Sequence, residues 1–281
     1  MSRSTKTWLI VAACLILVGC AVFGGIMTML NWDFFQLSTV KYDTNEYSYH
    51  EPIRSISIET ITAGIEFTHS DDGQTKVICY EQVEMEHTVA VIDGVLTIQG
   101  KDTRKWYERI GIQFGAPKIT VCLPNAEYEA LCVQSITGNI RLNGFSARSV
   151  SFGVTTGKIT VTDLQCAGDV QLNVTTGKAS LSGVVCQNLT SEGSTGDVAL
   201  DHVIAADALR IQRSTGSIKL TSCDAANISI KTNTGDVIGS LRSGKTFDAQ
   251  TDTGKIDVPK DSAGGQCRIT TNTGNIKITI E

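Results

Sequence analysis

Proline and aromatic side chains are scarce: 4 Pro and 6% Phe, Trp and Tyr stand against 26 Gly in 281 residues. So little proline excludes a collagen-like or proline-rich low-complexity chain, and 41% hydrophobic residues exclude bulk disorder. A surplus of positive charge is missing too. Lys and Arg number 24 against 29 Asp and Glu, which excludes the basic footprint of a nucleic-acid binder. Metal motifs are absent, since no His-x-x-x-His, Cys-x-x-Cys or calcium repeat occurs and His50, His69, His87 and His202 are scattered. The run Gly153 to Lys158 (GVTTGK) is one residue short of a phosphate loop and leads into a strand pattern, without the helix that would supply an amide cradle. The sequence therefore offers no catalytic, cofactor-binding or metal residues.

Long apolar runs are confined to one place. From Trp8 to Leu30 the chain carries no charge over 23 residues, enough to cross a hydrocarbon core of about 30 Å as a helix. Arg3 and Lys6 precede the run and Asp33 follows it. The positive-inside bias then makes residues 1–7 cytoplasmic, residues 8–30 a single membrane pass and the remainder extracellular. Leu17-Val18-Gly19-Cys20 also has the form of a bacterial lipobox, in which cleavage and lipidation at Cys20 would anchor the chain instead. The apolar run continues ten residues past Cys20, whereas a signal's apolar region is usually about 7 to 15 residues in all. Residues 31–52 show no sustained period and read as a juxtamembrane stalk.

The rest of the chain is repetitive. A Thr-Gly pair recurs with glycines at Gly138, Gly157, Gly177, Gly196, Gly216, Gly235, Gly254 and Gly274, spaced by 19 or 20 residues. Two residues after each glycine the side chain is always apolar (Ile140, Ile159, Ala179, Val198, Ile218, Val237, Ile256, Ile276). The alternation continues at the fourth position, which marks a strand. A second strand runs inward at odd positions before the glycine, as at Leu131 and Val133 or Val150 and Phe152. The parity switch falls on the glycine itself, making it a structural corner where the missing Cβ permits a positive φ. A third apolar pair follows seven and nine residues later, as at Phe145 and Ala147. Three inward segments closing every 20 residues or so predict an all-β, three-faced parallel β-solenoid over 131–281. The stacked threonines predict a hydroxyl ladder. Arg242 and Asp261 interrupt the third apolar column and mark the last full coils as the weakest.

Residues 53–130 read as an irregular β capping region with alternating strands at Ile56 to Phe67, Gly94 to Ile98 and Ile119 to Pro124. Ile276, Ile278 and Ile280 end the chain in a strand that is either covered or an exposed edge. Seven cysteines lie beyond the apolar run, and Cys166, Cys186, Cys223 and Cys267 read as buried apolar filler. A Cys166 to Cys186 bridge between coils stays open, as do a free Cys132 and its pairing with Cys122. Within Lys101 to Pro117, the side chains Trp106, Tyr107, Phe114, Arg104 and Arg109 form a candidate contact with a partner or a glycan ring. The same loop could instead cover the open end of the first coil.

The leading Ile-x-Ile strand, the Ile119 to Pro124 strand ending in Leu-Pro, and the iterated Thr-Gly-[Asp/Asn/Lys]-[Ile/Val] together resemble the bacterial putative-adhesin β-strand-repeat family. This is a domain of unknown function found behind one membrane helix in many Gram-positive envelope proteins, and the resemblance covers Ile53 to Glu281. It implies a β-solenoid in the cell envelope. No catalytic residues carry over. The expected function is thus a non-enzymatic, membrane-anchored adhesin, scaffold or envelope-sensing module whose partner is an envelope protein or a glycan. One alternative is a polysaccharide-active β-helix enzyme, for which Glu81, Glu84 and Glu86 are the carboxylates to watch. A self-assembling scaffold like the bactofilins is the other.

Overall fold

The computed structural model describes residues 3–33, 41–102, 115–260 and 263–281. Helix Arg3–Met29 is long and apolar enough to cross a membrane. Its polar Thr28 hydroxyl bonds back to the carbonyls of Gly24 and Gly25 at 3.0 and 2.8 Å, so it needs no water. The helix stops where Asn31 and Trp32 take φ of +50° and +58°, a left-handed termination.

A separate compact unit holds the strands, Asp43–Thr103 with Ala116–Glu281. Its architecture is all-β and solenoid-like. Each repeat contributes a short strand after the corner glycine, such as Ile159–Thr162, and a longer one before it, such as Ser146–Thr156. Equivalent strands of successive repeats pair in parallel and in register: Ile159 lies beside Ile140 and Ala179, and Val150 beside Leu131 and Val170. The apolar columns read from the sequence accordingly fill one continuous core.

Eight corner glycines hold φ between +128° and +156°. Each sits on the backbone of its neighbour. A Cβ on Gly177 would lie 1.8 Å from the Gly157 carbonyl oxygen, and one on Gly196 would lie 1.8 Å from that of Gly177. The column is therefore closed to every other residue by contact as well as by φ. Beside it the threonines stack in register along the exposed edge, from Thr137 through Thr156, Thr176, Thr195, Thr215 and Thr234 to Thr273 and Thr253. A second corner falls six residues after the glycine, at Gly144, Asp163, Gly183, His202 and Ser222, all with φ between +49° and +77°.

Two expectations need correction. The hydrogen bonds do not form three separate parallel faces: the short third segment, as at Ser146 and Ala147, runs into the same strand and sheet as Val150 and Phe152. With only two paired residues after the second corner, that segment is too short to make a sheet of its own. In the capping region 53–130, by contrast with the repeats, two pairs are antiparallel: Lys76–Tyr80 with Lys118–Cys122 and His87–Ile92 with Val95–Gly100. Finally, part of the expected stalk is a strand, Tyr42–Tyr49, joined to Thr75–Gln82.

Strand order is mixed at both ends. Ser55–Thr60 lies between Val95–Gly100 and Glu127–Thr137. Gly265–Thr273 lies between Ile218–Thr234 and Lys245–Thr253, and Ile276–Ile280 between Val237–Leu241 and Ile256–Asp257. The C-terminal strand is thus interior, with Ile276 and Ile278 buried, and Ile256 sits exposed on the outermost coil. Where Arg242 breaks the third column, a register shift brings Leu241 opposite Cys223, fully buried in its place. Asp261 lies outside the described residues.

Candidate functional site

The inserted strand Ser55–Thr60 creates a polar site on this unit. Alternation turns Ile56, Ile58 and Thr60 inward and Ser57 and Glu59 outward. In register, Glu59 stands between Gln99 and Gln134, and Thr60 beside Ser135. These residues line an open cleft of about 470 Å³, completed by Ile61, Gly100, Ile136 and Thr155. Ile136 offers it an exposed aliphatic face. Gln134 lies flat over Gly153, where a Cβ would come 2.0 Å from its Oε1. Ser135 Oγ is buried without a hydrogen-bond partner, a polar group whose burial costs about 1–3 kcal/mol if nothing joins it.

Beneath the cleft lies a buried polar network. On strand Thr75–Gln82, alternation directs Cys79 and Glu81 to the same inward face. A turn closed by Met85 N–H to the Gln82 carbonyl then returns the chain, and His87 opens the next strand opposite Gly100. Gly100 leaves room for the imidazole, since a Cβ there would lie 3.1 Å from His87 Nε2. Thr60 Oγ1 is 2.8 Å from His87 Nε2, and His87 Nδ1 is 2.5 Å from Glu81 Oε2. His87 N–H donates to the same carboxylate oxygen and Asn45 Nδ2 to the other, both at 2.8 Å. In a neutral ring these partners place the proton on Nδ1 and make Thr60 the donor to Nε2. Cys79 is fully buried beside them, and burial, with the Glu81 charge adding, pushes its thiol up to about 12.

The candidate contact residues Trp106, Tyr107, Phe114, Arg104 and Arg109 lie outside the described residues. Of the three carboxylates to watch, only Glu81 joins the network, while Glu84 accepts from Gln82 Nε2 at 3.3 Å. Asp201 and His202 form an exposed pair at 2.9 Å on the second corner. Asp197 and Asp236 serve the first corner, each accepting a backbone N–H of a neighbouring coil, from Ser217 and Asn275. Cys166 and Cys186 occupy neighbouring positions as free thiols, and Cys122 and Cys132 are free as well. Sequence reasoning missed Thr60, Cys79, Asn45 and His87. Its available signal was Cys-x-Glu on one strand face, with a histidine at the start of the next strand.

Comparison with known proteins places this geometry. The family model for Toastrack DUF4097 matches residues 53–281. No curated protein matches the chain. Among solved structures, a putative adhesin from Bacteroides fragilis is 19% identical with a TM-score of 0.54, covering 85% of this chain and 97% of its own. One from Parabacteroides distasonis named as a putative adhesin is 13% identical with a TM-score of 0.42, covering 86% and 98%. A second Parabacteroides distasonis structure, named as a putative lipid binding protein, is 13% identical with a TM-score of 0.35 over the same shares.

Proposed function

This chain belongs to the Toastrack DUF4097 family, and from that premise we propose a non-enzymatic recognition module displayed outside the cell on its N-terminal helix. In this reading Arg3 and Lys6 hold the N-terminus inside. The stacked repeats, taken as a parallel coil with three inward segments, are a scaffold of the adhesin or envelope-sensing kind. The Bacteroides fragilis structure of the same fold is named as a putative adhesin, which weighs in the same direction.

The carrying observation is the cleft at the inserted strand. Two amides and a carboxylate on three neighbouring strands, with an exposed isoleucine beside them, suit a polyhydroxylated ligand. Such a ligand can both donate to the Glu59 carboxylate and accept from the Gln99 and Gln134 amides. The partner class we favour is accordingly an envelope glycan.

An enzyme reading has one observation in its favour, because Thr60, His87 and Glu81 are connected like a nucleophile, base and orienting carboxylate. Against it, the Thr60 side chain that would attack is only 4% exposed. Purified envelope polysaccharide captured by the full-length chain in detergent micelles tests the recognition reading. Replacing Glu59 and Gln134 with Ala should weaken capture at least tenfold; undiminished capture, or none by the unmodified chain, would overturn it.

A further inference from the structure

The network under the cleft brings together three different donor types, and among the described residues neither Glu81 nor His87 is paired with a lysine or arginine. Cys79 Sγ, a Glu81 carboxylate oxygen and a His87 ring nitrogen all lie within 4.8 Å of one another, and all three residues are buried. Ligands of tetrahedral zinc at ordinary bond lengths sit about 3.3 to 3.8 Å apart, so small side-chain adjustments would close the set. Thiolate, carboxylate and imidazole in one site suit a borderline-soft cation and disfavour magnesium or calcium.

A second observation concerns the atoms not offered to an ion. Glu81 Oε1 is held by Asn45, and His87 Nε2 by Thr60. Glu81 Oε2 and His87 Nδ1 are thereby turned toward each other. Outer-shell partners of this kind fix ligand orientation at metal centres. Backbone geometry contributes too, because Cys79 and Glu81 share a strand face and His87 N–H anchors Glu81 from the next strand.

We propose that Cys79, Glu81 and His87 bind a zinc-class divalent cation, which ties strand Thr75–Gln82 to strand His87–Ile92. The inference is independent of the glycan reading. On binding, the Cys79 thiol releases its proton, and the imidazole proton moves from Nδ1 to Nε2, where Thr60 Oγ1 becomes its acceptor. One proton leaves per ion, and the doubly charged cation offsets the thiolate and the carboxylate. A water or other small ligand would complete a fourth position.

Cobalt substitution tests the site spectroscopically. Titrating cobalt into the full-length chain in detergent micelles should give a thiolate-to-cobalt charge-transfer band that saturates at one equivalent and is displaced by zinc. Cys79→Ser should abolish the band and Glu81→Gln weaken cobalt binding at least tenfold, while Cys166→Ser, at a remote buried thiol, should leave both unchanged. No band from the unmodified chain, or a band surviving Cys79→Ser, would overturn the proposal. Zinc X-ray absorption on the unmodified chain decides without any variant: one sulfur among nitrogen and oxygen neighbours is expected, and a sulfur-free shell would refute it.

Discussion

The middle of the strand unit and its two ends obey different rules. From Glu127 to about Thr234 successive repeats pair with their neighbours in the chain, and every coil repeats the same corner and core columns. At each end the order is interleaved, with Ser55–Thr60 and Gly265–Thr273 each inserted between strands that are not both their neighbours in sequence. The middle shows what a repeat must keep, and the ends show what becomes possible once that pattern is relaxed. One buried polar cluster illustrates the second point. Thr60, Glu81 and His87 gather at the first end, where antiparallel strands bring together residues that a regular parallel repeat would keep in separate columns.

The sharpest way to break the comparison is at a corner. Gly177→Ala drives a Cβ to 1.8 Å from backbone that the neighbouring coils hold fixed, so we expect a loss above about 4 kcal/mol in urea denaturation. Gly73, near the first end, has φ of +73° but open space around it, and its alanine variant should cost only about 1 to 2 kcal/mol. Equal losses would mean that the stacked column is not what fixes the coils.

Isoleucines at the far end come next. Ile276 is fully buried and Ile256 is 46% exposed although both hold the same column. Ile276→Ala should therefore cost about 2 to 5 kcal/mol and Ile256→Ala under about 1. A chain stacked in covalent order would reverse the two.

A smaller effect distinguishes the charge buried near that end. Lys245 is 2.6 Å from Asp224 and is itself buried. Burial raises the Asp224 pKa, but hydrogen bonds from Lys245 and Ser243 outweigh it, leaving the carboxyl below its ordinary value. A depressed folded pKa means that this stabilisation is complete above the unfolded carboxylate pKa of about 3.9 and is lost as pH falls through the folded one. Asp224→Asn should therefore lower stability at neutral pH and flatten its acid dependence, read from Tm between pH 7 and pH 3. The least effect belongs to the regular middle's surface: Arg148 and Glu127 are exposed and 3.8 Å apart, and Arg148→Ala should leave Tm unchanged.

Legibility follows the same division. The corner glycines could be read because one physical demand, the absence of a Cβ, selects one residue every time. The second corner escaped because Gly144, Asp163, Gly183, His202 and Ser222 meet the same positive φ with four different residue types. Interleaving was illegible for a different reason. Ile256 and Ile276 carry the same column, so nothing in their local sequence says which coil lies outermost. At the candidate site Glu81 was noticed as a carboxylate, but its partners come from separate strands that only the antiparallel return unites. His87 alone looks like any scattered histidine.

Interleaving at the first end builds both the cleft and the network below it, and a single cross-link tests it. Ser57 is the register partner of native Cys132 on one side and of Thr97 on the other. Neighbouring strands lie about 4.8 Å apart, within the disulfide range of about 4.4 to 6.8 Å, and second neighbours lie beyond it. Under mild oxidation of the full-length chain, Ser57→Cys should form a disulfide with Cys132, mapped by mass spectrometry, and Thr97→Cys should not. A bond from position 97 to Cys132, with none from position 57, would put the returning strand against Glu127–Thr137 and contradict the account.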